Sequence, residues 1–156
     1  MLKINIPGRG EVILENILFD YNGTLAVDGF LDEKTKEKLK NLSHKVNVYI
    51  LTADTYGTVG KECKDLNIKV ETFPKENAGA EKKRIVQKLG KEHSLAVGNG
   101  YNDIEMFKES NLSFAVVGAE GSCGKLIMHA DAIFNNIFDI FEALENPDRI
   151  KATLRN

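Results

Sequence analysis

The sequence predicts an α/β protein with a three-layer, Rossmann-like architecture, in which a mostly parallel sheet lies between helices. Short apolar runs alternate with amphipathic stretches along the chain, which is the pattern of repeated strands and helices. Polar side chains follow directly after several of the apolar runs. Because ligands of open α/β sheets bind beyond the carboxyl ends of the strands, these polar segments are the candidate site.

An N-terminal β-hairpin is predicted ahead of the repeats, because residues 2–6 and 11–14 flank the turn sequence Pro7-Gly-Arg-Gly10. We interpret this hairpin as a decoration on the repeating fold. The sheet itself is predicted from apolar runs at residues 17–19, 46–51, 68–72, 95–97 and 112–117, with an edge strand at 132–134.

Helices are predicted where apolar residues recur every three or four positions. They lie at about residues 33–42, 59–66, from 80 to 89, around 104–107, near 126 and at 137–144. Asn146 is predicted as the N-cap of a terminal helix, with Pro147 as its first residue.

Length and composition indicate a single domain over residues 1–156 that can fold alone, since 42% of its 156 residues are hydrophobic. The 21 basic and 23 acidic residues are dispersed, so no nucleic-acid partner is expected. No apolar run approaches the roughly 20 residues that span a bilayer, and the N-terminus lacks a signal-peptide pattern. We therefore expect a cytoplasmic protein without a membrane partner. Cys63 and Cys123 form no CxxC motif, and both are expected in the core.

The first polar segment begins at Asp20, directly after the apolar run 17–19. A carboxylate at this place can attack phosphorus and form an aspartyl phosphate, with Gly23 allowing the backbone to turn tightly. Asp-x-Asn-Gly after a strand is also ordinary turn chemistry, so this segment alone leaves both interpretations open. Thr52 ends the next strand, where its hydroxyl can donate to a phosphate oxygen or cap the following helix.

Lys82 is more informative than these residues. At about 100° per residue it lies within the apolar stripe of its helix, at positions 85–89, whereas Lys83 points away. A lysine on a buried face needs an anionic partner, either a structural carboxylate or the carboxylate and phosphate of an active site. Asp103 follows Gly98-Asn-Gly100 and opens a helix, either as an active-site acid or as a simple N-terminal acid.

The four segments, in this order, resemble the four motifs of the haloacid dehalogenase (HAD) superfamily over about residues 17–131. Asp20-x-x-Gly23-Thr24 resembles the nucleophile motif, Thr52 the hydroxyl motif, Lys82 the lysine motif and Gly98-x-Gly100-x-Asn102-Asp103 the acidic motif. Within the superfamily, the amino-acid sequences of the last three motifs are most similar to those of the phosphorylation domain of P-type ATPases. The chain resembles the soluble P-type-ATPase-like proteins, which are freestanding versions of that domain.

The resemblance implies a role for each residue. Asp20 would be the nucleophile and a Mg²⁺ ligand, with the backbone carbonyl of Asn22 and the side chain of Asn99 as further metal ligands. Asp103 would be a catalytic residue that lies near the metal and orients its shell. The phosphate would be bound by Asn22, Gly23, Thr24, Thr52, Ala53 and Lys82.

The charges of such a site are consistent with these roles. A carboxylate that attacks a phosphate dianion is repelled by about 4 kcal/mol per pair of unit charges, at about 4 Å and an effective dielectric of about 20. Mg²⁺ and Lys82 would offset this repulsion.

Two asparagines depart from the superfamily pattern. Asn22 replaces the aspartate that phosphatases use as general acid and base, a contribution of about 10² to 10⁴ in rate. Asn99 replaces a metal-binding aspartate and removes one negative charge from the metal shell. We therefore expect a slow phosphatase or phosphoryl-transfer enzyme. The alternatives are a non-catalytic phosphate-sensing or interaction module and, less favoured, a haloacid dehalogenase.

The spacers between the motifs hold only a helix and a strand each, so a capless, open site is expected. Its partner would be a phosphorylated small molecule or a phosphoprotein. A neighbouring subunit of a homo-oligomer is a further way to cover an open site.

Overall fold

The computed structural model describes residues 1–54 and 57–156, in which a hairpin precedes a six-stranded parallel sheet with helices on both faces. The hairpin strands are β1 (Leu2–Ile6) and β2 (Gly10–Leu14). The sheet strands are β3 (Asn16–Asp20), β4 (Asn47–Thr52), β5 (Lys69–Thr72), β6 (Ser94–Gly98), β7 (Leu112–Val116) and β8 (Ala132–Phe134). The helices are α1 (Glu33–Ser43), α2 (Thr58–Glu62), α3 (Ala78–Leu89), α4 (Ile104–Glu109), α5 (Gly124–Ile127), α6 (Ile137–Glu145) and α7 (Asp148–Leu154).

Strand β3 lies in the middle of the sheet, whose order is β5-β4-β3-β6-β7-β8. Every pair of neighbouring strands in the sheet is parallel, so the carboxyl ends of the strands lie at the same edge of the sheet. Asp20, at the end of β3, pairs with Leu51 in β4, directly before Thr52. The predicted α/β class, the mostly parallel sheet and the N-terminal hairpin are confirmed.

The sheet is covered on both faces by apolar side chains. Ile17 and Phe19 of β3 belong to one buried cluster, which also contains residues of α1, α6 and α7. Leu18 faces the other side and packs with residues of α3, α4 and α5. Every residue of β3, β6 and β7 is buried, as expected for central strands of a sheet with helices on both faces.

The hairpin is part of the core, so its interpretation as a decoration is wrong. Alternate side chains of its two strands, Ile4, Ile6, Val12 and Leu14, are buried in the same cluster as β3. Because strand residues alternate between two faces, one face of the hairpin is apolar and the other is solvated. Helix α7 contacts β1, and the hairpin thereby closes the first core layer.

Helix α2 is shorter than the helix predicted over residues 59–66. It ends at Glu62, and Cys63 lies in the turn that follows, although Cys63 and Leu66 still pack on the core. Gly60 within α2 costs about 1 kcal/mol of helix propensity relative to alanine, and the chain must turn before β5 begins. Cys123, also expected in the core, is only half-buried.

The start of α7 differs by one residue from the prediction. Pro147 occupies the N-cap, and Asn146 ends α6. The side-chain nitrogen of Asn146 donates to the carbonyl oxygen of Glu142 at 3.1 Å. The side chain of Asn146 therefore caps the end of α6 and not the beginning of α7.

The connections between strands contain helices and turns. Helix α1 joins β3 to β4, and a 3₁₀ turn (Lys75–Asn77) precedes α3 between β5 and β6. This arrangement agrees with the expected capless architecture. Among the helices of the described residues, none has the length and apolarity needed to cross a membrane.

Candidate active site

Three charged side chains meet at the carboxyl end of the central strand. The Lys82 ammonium donates to Asp20 Oδ1 at 2.6 Å and to Asp103 Oδ1 at 2.6 Å. The side chains of Lys82 and Asp103 are almost fully buried, at 1% and 0% exposure, and that of Asp20 is 12% exposed. A single cation thus bridges two carboxylates in the interior.

The position of Lys82 follows from the inner face of α3. Lys82 is buried on the same side as Ile85 and Val86, whereas the Lys83 side chain is 40% exposed and reaches Glu105 at 3.4 Å. The prediction that Lys82 faces inward and has an anionic partner is confirmed. Both of the partners left open by the sequence, a structural carboxylate and the candidate nucleophile, are present.

Asp103 lies in a 3₁₀ turn (Tyr101–Asp103) directly after the loop that follows β6. Its Oδ2 atom accepts hydrogen bonds from the backbone N–H groups of Asn99 at 3.1 Å and Gly100 at 2.9 Å. A side chain at Gly98 would collide with the Asp103 carboxylate, so glycine is required there. Asp103 therefore holds both Lys82 and the loop 98–100 in place.

Burial and charge act in opposite directions on this trio. Burial away from water and the neighbouring charge of Asp103 raise the pKa of Asp20 to about 7, although Lys82 lowers it. Burial by itself lowers the pKa of Lys82, but the charges of Asp20 and Asp103 outweigh burial, and the pKa lies above its ordinary value. Lys82 is therefore a permanent cation, whereas Asp20 needs further positive charge to be fully ionised near neutral pH.

Thr24 links the loop that follows β3 to Asn99. Its hydroxyl lies 3.3 Å from Asp20 Oδ2 and 3.2 Å from Asn99 Oδ1, and its one hydrogen can serve only one of them at a time. Gly23 has a φ of +78°, and a side chain there would collide with the Asn99 amide. Glycine is thus needed at position 23 both for its backbone conformation and for the close approach of Asn99.

The loop that holds Asn99 was not recognised as part of the site from the sequence. The Asn99 side-chain nitrogen donates to the carbonyl oxygen of Gly121 at 3.1 Å, and Ser122 Oγ donates to the backbone oxygen of Asn99 at 3.2 Å. The signal was available, because three glycines follow the carboxyl end of a predicted strand, at Gly118, Gly121 and Gly124.

The remaining predicted residues line a cavity of about 240 Å³ at the mouth of the site, which contains Asn22, Thr52 and Ala53. The Thr52 hydroxyl accepts from the backbone N–H of Asp54 at 3.2 Å, and this bond leaves its own hydrogen free to donate. The Asp54 carboxylate accepts from the Val59 N–H at 2.9 Å near the start of α2. Asn22 is exposed, so a reacting group in the mouth can reach it.

The predicted magnesium ligands contribute one carboxylate. Among the described residues, His, Cys, Asp and Glu side chains form no metal-binding group of three or more. Both oxygens of Asp103 are already engaged, whereas Asp20 Oδ2 and Asn99 Oδ1 lie beside the same Thr24 hydroxyl. Mg²⁺ often takes only one or two carboxylates and completes its shell with water and substrate phosphate. The donor set fits Mg²⁺ held weakly and together with a phosphate.

A family model described as haloacid dehalogenase-like hydrolase matches residues 75–136, which include Lys82, Asn99 and Asp103. Asp20 and Thr52, the other two predicted motif residues, lie outside it, and Asp20 contacts Lys82 of this segment at the end of the central strand. Over this segment the chain is similar to the haloacid dehalogenase-like hydrolases. The narrower resemblance to P-type-ATPase-like proteins stays a prediction.

Solved structures with this HAD-like hydrolase fold include known phosphatases. The cobalt-bound deoxy-D-mannose-octulosonate 8-phosphate phosphatase of Haemophilus influenzae has a TM-score of 0.72 and 14% identity, covering 92% of this chain and 94% of that one. The 3-deoxy-D-manno-octulosonate 8-phosphate phosphatase of Moraxella catarrhalis, solved with magnesium, phosphate and a KDO molecule, has a TM-score of 0.67 and 17% identity. That match covers 91% of this chain and 94% of the other.

Two proteins of Methanocaldococcus jannaschii are similar in sequence. The uncharacterized protein MJ0073 is 36% identical over 89 residues, which are 53% of this chain and 96% of that protein. The uncharacterized protein MJ0072 is 51% identical over 39 residues, which are 25% of this chain and 89% of that protein.

Lys82→Met should lower the free energy of unfolding by about 3–5 kcal/mol, because it leaves two buried carboxylates without their cation. Lys83→Met is the matched control and should change it by less than about 0.5 kcal/mol. Adding Asp20→Asn to Lys82→Met should recover part of the loss, since one of the two repelling charges is removed. Urea denaturation at neutral pH measures all three variants. Equal losses for the two lysines would contradict the bridging role of Lys82.

Proposed function

We propose that the protein is a slow, magnesium-dependent phosphatase or phosphoryl-transfer enzyme that acts on phosphate monoesters through an aspartyl phosphate on Asp20. The observation that carries the proposal is the Lys82 ammonium between the Asp20 and Asp103 carboxylates. A purely structural ion pair needs one carboxylate, whereas here a second one, whose side chain is 12% exposed, ends the central strand next to an open mouth. Such a carboxylate is suited to attack a bound ligand.

The first step forms a bond between an Asp20 oxygen and phosphorus and breaks the bond to the leaving-group oxygen. An ammonium has three N–H donors, and Lys82 uses two of them for the carboxylates. The third can bind a phosphoryl oxygen, together with the Thr52 hydroxyl. Asp103 has no direct part in this step, and it keeps Lys82 charged and oriented.

Mg²⁺, when bound by Asp20 and Asn99, would add the positive charge that keeps Asp20 ionised and offsets the charge of the phosphate. In the second step, water attacks the phosphorus of the aspartyl phosphate, inorganic phosphate leaves, and the Asp20 carboxylate is restored. The side chain of Asn22, at the mouth, has no acidic proton to give to the leaving group and no base to activate the water. Turnover is expected to be slow for this reason.

The similar fold of the octulosonate phosphatases supports a small phosphate ester as substrate, since their names state that they act on a sugar-acid phosphate. Their low identity gives no support for the same substrate in this protein.

Asp20→Asn should abolish phosphate release, because the variant keeps the shape of the side chain but loses the nucleophile and a metal ligand. Phosphate release from a panel of phosphate monoesters, with and without Mg²⁺, measures this directly. Lys83→Met is a suitable control because its side chain is exposed. Activity that persists in Asp20→Asn would refute the proposed nucleophile, and absence of activity in the parent would favour the non-catalytic module.

Asn22→Asp should raise hydrolytic turnover by up to about two to four decades, if proton transfer limits the rate. Asn22 is exposed, so the substitution disturbs no packing. Steady-state kcat with a poor leaving group, such as an alkyl phosphate, is the most sensitive measure. If a folded Asn22→Asp variant is no faster than the parent, the slow-phosphatase mechanism is wrong. A persistent phosphoenzyme or a non-catalytic module would then be the better interpretation.

Asn99→Asp should lower the Mg²⁺ concentration needed for half-maximal rate, because it adds a negative charge beside Asp20. The same variant loses the hydrogen bond from the Asn99 amide to Gly121, so without Mg²⁺ its Tm should fall. Mg²⁺ should then raise the Tm of the variant more than that of the parent. Thermal denaturation over a series of Mg²⁺ concentrations tests this without any substrate. If Mg²⁺ raises the Tm of both proteins equally, Asn99 does not bind the metal.

A further inference from the structure

A large cavity lies beside the catalytic centre and has no part in the chemistry described above. Its volume is about 620 Å³, within the range of about 300–1,000 Å³ that is usual for small-molecule sites. The 3₁₀ turn before α3, the turn before α4, and helix α5 form its walls, through residues that include Lys75, Tyr101, Ile104, Lys125 and Met128.

Lys75 connects this cavity to the mouth of the active site. It lines both the large cavity and the mouth cavity that contains Asn22 and Thr52. A substrate bound in the mouth cavity can therefore extend past Lys75 into the larger space. The cavity is therefore placed to bind the leaving group of the substrate.

The charges around the cavity favour an anionic ligand. Three lysines line it against two glutamates, and one of these, Glu105, is already paired with Lys108 at 2.8 Å. Lys75 and Lys125 form no ion pair with any residue in 1–54 or 57–156. The Lys125 ammonium lies 5.8 Å from the centre of the Tyr101 ring, which orients the cation without neutralising it.

The cavity also offers apolar surface for a carbon skeleton. The side chains of Tyr101 and Met128 are unusually exposed for their type, at 66% and 82%, and Ile104 is buried behind them. Methionine adapts its shape readily to a ligand. Unpaired cations next to exposed apolar side chains suit an organic acid better than an inorganic ion.

We propose that this cavity binds the leaving group of the substrate, and that the leaving group carries a second anionic group that Lys75 and Lys125 recognise. The inference rests on the proposed phosphatase function and goes beyond it, because it names the substrate class. The substrate is a small organic phosphate monoester with a second acidic group, a carboxylate or a second phosphate.

Matched pairs of substrates test the proposal. 3-Phosphoglycerate and glycerol 3-phosphate differ by a carboxylate, whereas fructose 1,6-bisphosphate and fructose 6-phosphate differ by a second phosphate. The parent protein should have a higher kcat/KM for the acidic member of at least one pair, and the pair that responds identifies the second group. An active parent that hydrolyses both members of each pair equally well would overturn the proposal.

Lys75→Met and Lys125→Met should each lower that preference by about tenfold or more, which is the effect of losing a charged hydrogen bond of about 1.5–3 kcal/mol. Lys91→Met is the matched control, because Lys91 is exposed and precedes β6 at the opposite edge of the sheet. This variant should keep the preference. If Lys75→Met and Lys125→Met keep it as well, the cavity does not recognise the second anion.

A binding measurement separates this inference from the proposed catalysis. The Asp20→Asn variant, titrated with the same four compounds by calorimetry, should bind the acidic member of the responding pair more tightly, and Lys75→Met should remove the difference. If the parent hydrolyses nothing but this binding difference is found, the phosphatase proposal fails and the cavity assignment stands. If the parent hydrolyses both members equally and binding shows no difference, the phosphatase proposal stands and the cavity assignment fails.

Discussion

The contact of one buried ammonium with two buried carboxylates is the constraint on which the rest of the site depends. Each ion loses hydration worth several kcal/mol on burial, and the two carboxylates repel each other. The arrangement therefore depends on Lys82, whose ammonium lies 2.6 Å from an oxygen of each carboxylate. Asp20 comes from β3, Lys82 from α3 and Asp103 from the turn after β6. The candidate chemistry and the packing of these three elements are therefore coupled.

The two asparagines that distinguish this site occupy different environments. Asn22 is exposed at the mouth of the site, where its side chain contributes little to packing. The nitrogen of the Asn99 amide donates to Gly121, and its oxygen lies 3.2 Å from the Thr24 hydroxyl. A carboxylate has no donor for the Gly121 carbonyl and would need a cation nearby. The asparagine thus keeps the loops together by hydrogen bonds, where an aspartate would depend on a metal.

The sequence predicted correctly those features that depend on the residues close by in the chain. The apolar runs predicted each strand of the sheet, and helical spacing predicted which of two adjacent lysines is buried. It failed where distant segments compete for the same surface. The hairpin became part of the core because α7 and β3 leave an apolar face for it, and Asn146 turned toward α6 because that helix end offered an acceptor.

The sequence by itself determined the order of strands and helices, the polar residues that end them and the inward face of Lys82, because the periods of strands and helices are properties of the local chain. Only the tertiary structure decided that Asp20 and Asp103 share one lysine, that Gly121 holds Asn99, and that Lys75 joins two cavities. These contacts join residues far apart in the chain, and they depend on strand register and helix packing. No local pattern encodes such distances.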